Sequence, residues 1–189
     1  MYMLWGGGGE RIVCLKPWVR TLSDESKPSL MSAPFRVRAD GDLDDRSGKR
    51  VSLLGDVRRV LYELKTETEW EGVVVAVASC TDEPAWAREC MRKFEVGPVG
   101  SGTCLDDCMH IEEIAKGNKQ GHLRRISDTT GVPLEEMIFF DNERGNCLDV
   151  AALGVTVAWV PEGVTAGAWE QSLERYPAPG EIFDFRMGG

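Results

Sequence analysis

The chain has 189 residues, 42% of them hydrophobic, and a formal net charge of −9 from 22 Lys and Arg against 31 Asp and Glu. That length suits one domain with a real core and no need of disulfide staples, while the acidic balance repels a phosphate backbone and argues against a nucleic-acid partner. No apolar run approaches the roughly 20 residues of a membrane helix, and residues 1–15 lack the basic and then apolar pattern of a signal peptide, so a cytoplasmic protein without membrane contact is expected; the oligomeric state is not legible.

Residues 1–34 read as an irregular N-terminal arm: four glycines at 6–9, a short apolar patch of Ile12, Val13, Cys14 and Leu15, then a stretch of Ser, Asp, Glu, Lys and Pro. From Phe35 the pattern becomes Phe35-Arg36-Val37-Arg38, then an acidic stretch at 40–45, then Arg50-Val51-Ser52-Leu53. Alternation on both sides of a glycine-containing turn predicts a half-exposed hairpin with a solvated acidic tip.

Val57, Val60, Leu61 and Leu64 recur at the spacing of an amphipathic helix. Residues 72–79 are apolar without alternation, as in a strand covered on both faces. Thr81 or Asp82 can then cap a helix with Pro84 in its first turn and Trp86, Cys90 and Phe94 along one side. A helix is predicted over 119–130, stopped by Gly131 with Pro133 beyond. Residues 137–140 form a short apolar run ending in Asp141; a helix over 143–153 follows, then a strand over 155–160 and a last helix begun by Thr165 and carrying Trp169 and Leu173.

Strands alternating with helices define a doubly wound α/β fold. Its ligands gather at the carboxyl ends of the parallel strands. Two strand ends there carry polar groups, Ser79 and Asp141, although a serine at such a place often only makes a turn and an aspartate often only caps a helix. The six cysteines are scattered through regular segments and read as free thiols. Cys104, Cys108 and His110 crowd one stretch, but C-x3-C-x-H fits no common zinc spacing.

The order of three segments is more specific than any one of them. Val75-Ala76-Val77-Ala78-Ser79-Cys80-Thr81, Asn118-Lys119-Gln120-Gly121-His122-Leu123 and Met137-Ile138-Phe139-Phe140-Asp141-Asn142-Glu143 resemble, in order and spacing, the second, third and fourth motifs of haloacid-dehalogenase-type (HAD) phosphatases of the magnesium-dependent phosphatase-1 type. Thr130-Gly131-Val132-Pro133, Leu153-Gly154-Val155-Thr156 and Gly163-Val164-Thr165-Ala166 extend the likeness, which covers residues 34–176. The resemblance implies a HAD-like, Rossmann-like parallel sheet with a small N-terminal hairpin insertion, in a phosphatase domain spanning 35–176 and followed by a C-terminal tail at 177–189. It implies catalytic roles for Ser79 and Lys119, contact of Ser79, Cys80 and Lys119 with the phosphoryl group of a phosphate monoester (phosphotyrosine or a phosphorylated sugar adduct), and Mg2+ held by Asp141 and Asn142. In that family an aspartate attacks phosphorus to give an aspartyl-phosphate, and a second aspartate two residues on moves the proton.

Those two aspartates have no counterpart where the resemblance would put them. Only Met1-Tyr2-Met3-Leu4-Trp5 matches the end of the family's first motif, so its strand and both acids would precede residue 1, and the sheet is expected to lack its first central strand. The strands ending at Ser79 and Asp141 should flank the vacant place, with residues 12–15 the one nearby apolar run able to fill it. Asp40-Gly41-Asp42 has the D-x-D look, but the arginines of the strand before it cannot face a packed core. The family's second acid in the fourth motif is here Asn142, and its arginine after the motif serine is here Cys80. Two accounts follow: a phosphatase whose aspartates lie upstream, or a non-catalytic relative that keeps a phosphate-shaped pocket. On either, the chain of 189 residues should not form an aspartyl-phosphate.

Overall fold

The computed structural model describes residues 11–15, 19–21 and 31–186. In chain order its strands are β1 (Arg11–Leu15), β2 (Val19–Thr21), β3 (Arg36–Val37), β4 (Leu43–Asp44), β5 (Arg50–Leu53), β6 (Val73–Cys80), β7 (Ile111–Ala115), β8 (Met137–Asp141), β9 (Thr156–Trp159) and β10 (Ile182–Asp184). Its helices are α1 (Val57–Thr66), α2 (Pro84–Lys93), α3 (Lys119–Thr130), α4 (Arg144–Ala151) and α5 (Ala166–Arg175).

Six strands form one parallel sheet in the order β10-β9-β8-β1-β6-β7. The apolar runs of β1, β6 and β8 explain why these three lie innermost: each is screened from water on both faces. Alternate residues feed two cores. Val13, Leu15, Val75, Val77, Ile138 and Phe140 pack with α1, α2 and α5 through Val60, Leu61, Cys90 and Trp169. On the opposite face, Ile12, Cys14, Ala76, Ala78, Met137 and Phe139 pack with α3 and α4 through Leu123, Ile126, Cys147 and Val150. Burying each such large side chain stabilises the fold by about 1.5–3 kcal/mol.

The sheet does not lack its middle strand. β1 occupies the place between β6 and β8, hydrogen-bonded to both, with Leu15 opposite Val77 on one side and Phe140 on the other. The apolar patch at 12–15, placed by the sequence in an irregular arm, fills the slot because it is the right length and apolar on both faces. Residues 1–5, matched to the end of the family's first motif, lie outside the described residues.

A second, antiparallel sheet in the order β2-β5-β4-β3 makes the insertion. It is more than a hairpin: part of the acidic stretch, Leu43 and Asp44, is itself a strand pairing with Val51 and Arg50. The acidic tip is not simply solvated either. Asp42 is 8% exposed, and its carboxylate takes hydrogen bonds from Arg50 (2.7 Å), Ser52 (2.6 Å) and Arg58 (2.6 Å), the last reaching across from α1.

Two edge strands went unread in the sequence. β7 alternates isoleucine with two glutamates at the outer edge beside β6, and β10, inside the stretch read as a tail, pairs with β9. The cap of α2 also differs, since Glu83 holds the N-cap position and Thr81 Oγ1 instead accepts from the Glu83 amide at 3.0 Å. α3 spans 119–130 as its pattern predicts, opened by Asn118, whose side chain accepts from the Gly121 amide, and closed by Gly131 in the left-handed region at φ 75°.

Candidate active site

The chain runs from β6 to β7 on one side of β1 and then crosses to β8 on the other, so the carboxyl ends of β6, β1 and β8 meet at the point where the strand order reverses. Ligands of open α/β sheets bind at such a point. The register sets what stands there: β1 ends at Leu15 one residue short of the level of Asp141, and two short of the level of Ser79. The residue after Leu15 in the sequence is Lys16.

Asp141 closes β8 with no exposed surface. Its Oδ1 accepts from the Glu143 amide at 2.8 Å and its Oδ2 from Asn146 Nδ2 at 2.9 Å, so the first turn of α4 fixes the carboxylate's direction. Lys119, the first residue of α3, is 2% exposed; its ammonium lies 3.9 Å from Asp141 Oδ2 and donates to the carbonyl of Ala78, the residue before Ser79. Through that lysine, β6 and β8 are tied across the end of β1. A buried ammonium and carboxylate are tolerable when they lie close to each other and each is hydrogen-bonded, here Lys119 to Ala78 and Asp141 to Glu143 and Asn146, and removing either partner of such a pair costs about 3–5 kcal/mol.

Ser79 and Cys80 end β6, the first half-buried and the second exposed. Asn142 follows Asp141; its carbonyl accepts from Trp159 Nε1 at 2.9 Å, and its side-chain Oδ1 is buried with no hydrogen-bond partner. A buried carboxylate next in sequence to an unsatisfied amide oxygen is a donor set of the kind a hard cation takes, with water and ligand oxygens completing the shell.

Sequence reasoning missed two residues. Asn146 clamps Asp141, and its signal was its spacing, five residues on within the helix that Asp141 precedes. His122 is fully buried, with Nδ1 3.9 Å from Cys80 Sγ; its signal was its place three residues after Lys119, on the same face of α3. Asp40 and Asp42, the D-x-D alternative, sit in the insertion, where both pair with Arg50 and Asp42 also pairs with Arg58 of α1.

A parallel sheet wrapped by helices on both faces, with a buried lysine and a buried carboxylate at its switch point, defines a Rossmann-like α/β protein of the HAD-like kind. The particular family follows from comparison with known proteins: the acid phosphatase family model matches residues 15–178, and the chain belongs to that family. It is 35% identical over 143 residues to human magnesium-dependent phosphatase 1, covering 76% of this chain and 74% of the relative. A HAD-like hydrolase superfamily protein of Schizosaccharomyces pombe is 30% identical over 128 residues, 67% of this chain and 72% of its own. Among solved structures, the N-terminal part of a Bacteroides fragilis protein containing a phosphatase domain, complexed with Mg, shares the fold with a TM-score of 0.55 at 19% identity, over 94% of this chain. The chain spans 43% of that longer protein.

Proposed function

We propose that the rim formed by Ser79, Cys80, Lys119 and Asp141 is a phosphate-monoester site of the magnesium-dependent phosphatase kind, and that this chain binds the ester without transferring its phosphoryl group to an aspartate. The observation that carries the reading is the Lys119 ammonium, fully desolvated and held by both Ala78 and Asp141 between the ends of β6 and β8. A preorganised cation in a water-poor site interacts with phosphoryl oxygens far more strongly than it would in water. Ser79 would donate its hydroxyl to a phosphoryl oxygen, and the exposed end of β6 would admit the ester.

Asp141 and the unsatisfied Asn142 Oδ1 are the residues that would hold Mg2+. The bound ion would offset the phosphoryl charge. With one carboxylate and one neutral amide, and the Lys119 charge close by, the donor set favours weak binding completed by water and the phosphate itself. Transfer through an aspartyl-phosphate needs an aspartate just beyond Leu15. Lys16, Pro17 and Trp18 follow it in the sequence, and none of the three carries a carboxylate.

Titration of the purified chain with inorganic phosphate by calorimetry, with and without Mg2+, is expected to show binding that Lys119→Met abolishes. No turnover of para-nitrophenyl phosphate is expected. The relationship to human magnesium-dependent phosphatase 1 favours a hydrolytic reading, and the same assay decides it: magnesium-dependent turnover lost in Asp141→Ala would establish hydrolysis. Absence of phosphate binding would remove the site.

A further inference from the structure

Cys80 differs from every other cysteine of the chain. Its thiol is exposed, while Cys14, Cys90, Cys108 and Cys147 are buried and Cys104 is half-buried. Burial pushes Cys14 and Cys90 up to about 12 and Cys108 up to about 11, and raises Cys104 as well, so these four are protonated and poor nucleophiles at neutral pH.

Beside Cys80 stands an imidazole that the packing alone does not explain. His122 is fully buried, its Nδ1 lies 3.9 Å from Cys80 Sγ, and its Nε2 has no hydrogen-bond partner. Burial first, then the charges of Lys119 and Arg125, push its pKa below the usual value, against a smaller opposing pull from Glu113. The ring is therefore neutral near pH 7. With its hydrogen on Nε2, the Nδ1 lone pair faces the Cys80 thiol, which is the relation of a base to a nucleophile. The pair sits at the phosphate rim: Cys80 follows Ser79, and His122 is three residues from Lys119 on α3.

We propose that Cys80 is a thiol-modification site in which His122 serves as base: the thiol exchanges with a low-molecular-weight disulfide, and the mixed disulfide obstructs the phosphate rim. The Sγ proton passes to Nδ1. The thiolate attacks one sulfur of the incoming disulfide; a new S–S bond forms at Cys80 as the old one breaks, and the departing thiolate takes the proton from the imidazolium. Cys80 is oxidised to the disulfide level while half of the incoming disulfide is reduced to a thiol, so the exchange balances without a further oxidant. The obstruction rests on the phosphate site proposed above; the exchange itself does not.

Incubation of the reduced full chain with oxidised glutathione, followed by intact mass and peptide mapping, tests the exchange. The expected result is a single adduct on the peptide holding Cys80, reversed by dithiothreitol and missing in Cys80→Ser. It should form at least about tenfold faster than on the same cysteine in urea-denatured chain, and about tenfold faster than in His122→Gln. The denatured-chain comparison decides the matter even if His122→Gln does not fold. Adducts spread equally onto Cys104, or a native rate no higher than the denatured one, would overturn the assignment. In the second arm, inorganic phosphate binding measured by calorimetry should vanish in the adduct and return on reduction. Unchanged phosphate binding by the adduct overturns the obstruction; failure of the reduced chain to bind phosphate sinks the functional reading and leaves the exchange to be judged by the first arm.

Discussion

In the six-stranded sheet every residue of β8 is buried, and its one charge, Asp141, is met by groups from α3 and α4; in the four-stranded sheet β3 is exposed along its length and charge is everywhere. Arg38 pairs with Asp44 at 2.7 Å, Arg50 with Asp40 at 2.9 Å and with Asp42 at 2.7 Å, and Arg58 of α1 reaches Asp42 at 2.6 Å. The insertion still has an apolar side, where Phe35, Leu43 and Val51 join the main core. The large sheet is thus held by area removed from water and can support a desolvated ion pair. The small one adds to a thin apolar face a lattice of half-wet ion pairs, each of which competes with solvent.

That contrast predicts a graded set of effects. Phe139→Ala, which empties a fully buried position in β8, is expected to cost about 3–5 kcal/mol in urea unfolding; a cost under 1 kcal/mol would mean the sheet is not packed as described. Lys119→Met should cost about 3 kcal/mol by removing the ammonium 3.9 Å from the buried Asp141 carboxylate, and the loss should shrink in Lys119→Met/Asp141→Asn, because the carboxylate's charge is then gone.

Asp42→Asn should cost about 1–2 kcal/mol, most of it felt in the insertion. Burial alone would raise the Asp42 pKa, and the Ser52, Arg50 and Arg58 donors more than reverse that, holding it below the usual 3.8. A carboxylate with a lowered folded-state pKa contributes its stability in full above its unfolded value and loses it as pH falls through the folded one. The gap in melting temperature between the native chain and Asp42→Asn should therefore be widest at neutral pH and close below pH ~4; a gap that widens in acid would contradict the ion-pair account. Smallest of all, Arg59→Ala removes an exposed pair with Glu63 on α1 and should shift stability by less than about 0.5 kcal/mol.

The same contrast governs what could be seen in the sequence. The inner strands were legible because burial on both faces forces an apolar run, as in Val73-Val74-Val75-Ala76 and Ile138-Phe139-Phe140. Edge strands carry no such demand: the two glutamates in the middle of β7 hide it, and β10 has only three residues. β1 was half legible, its apolar patch plain but its pairing fixed by β6 and β8, which lie far along the chain. The burial of Asp42 was hidden for a related reason, since its partner Arg58 belongs to a helix outside the hairpin. At the rim, Lys119 and Asp141 stood out because each opens or precedes a helix in a fixed order of motifs. His122 did not, because its one signal, a place three residues after Lys119 on α3, carries no sign of the thiol it will meet.

The position of β1 bears on how the molecule is made. Its partner on one side, β6, leaves the ribosome well before its partner on the other, β8, so the sheet's middle stays open along one edge while more than a hundred residues are added. At about 5–20 residues per second that interval is on the order of ten seconds, during which the edge of β1 that will face β8 offers bare amides and carbonyls to any passing strand. A protein assembled in this order has reason to depend on chaperones at birth even if it is robust once closed.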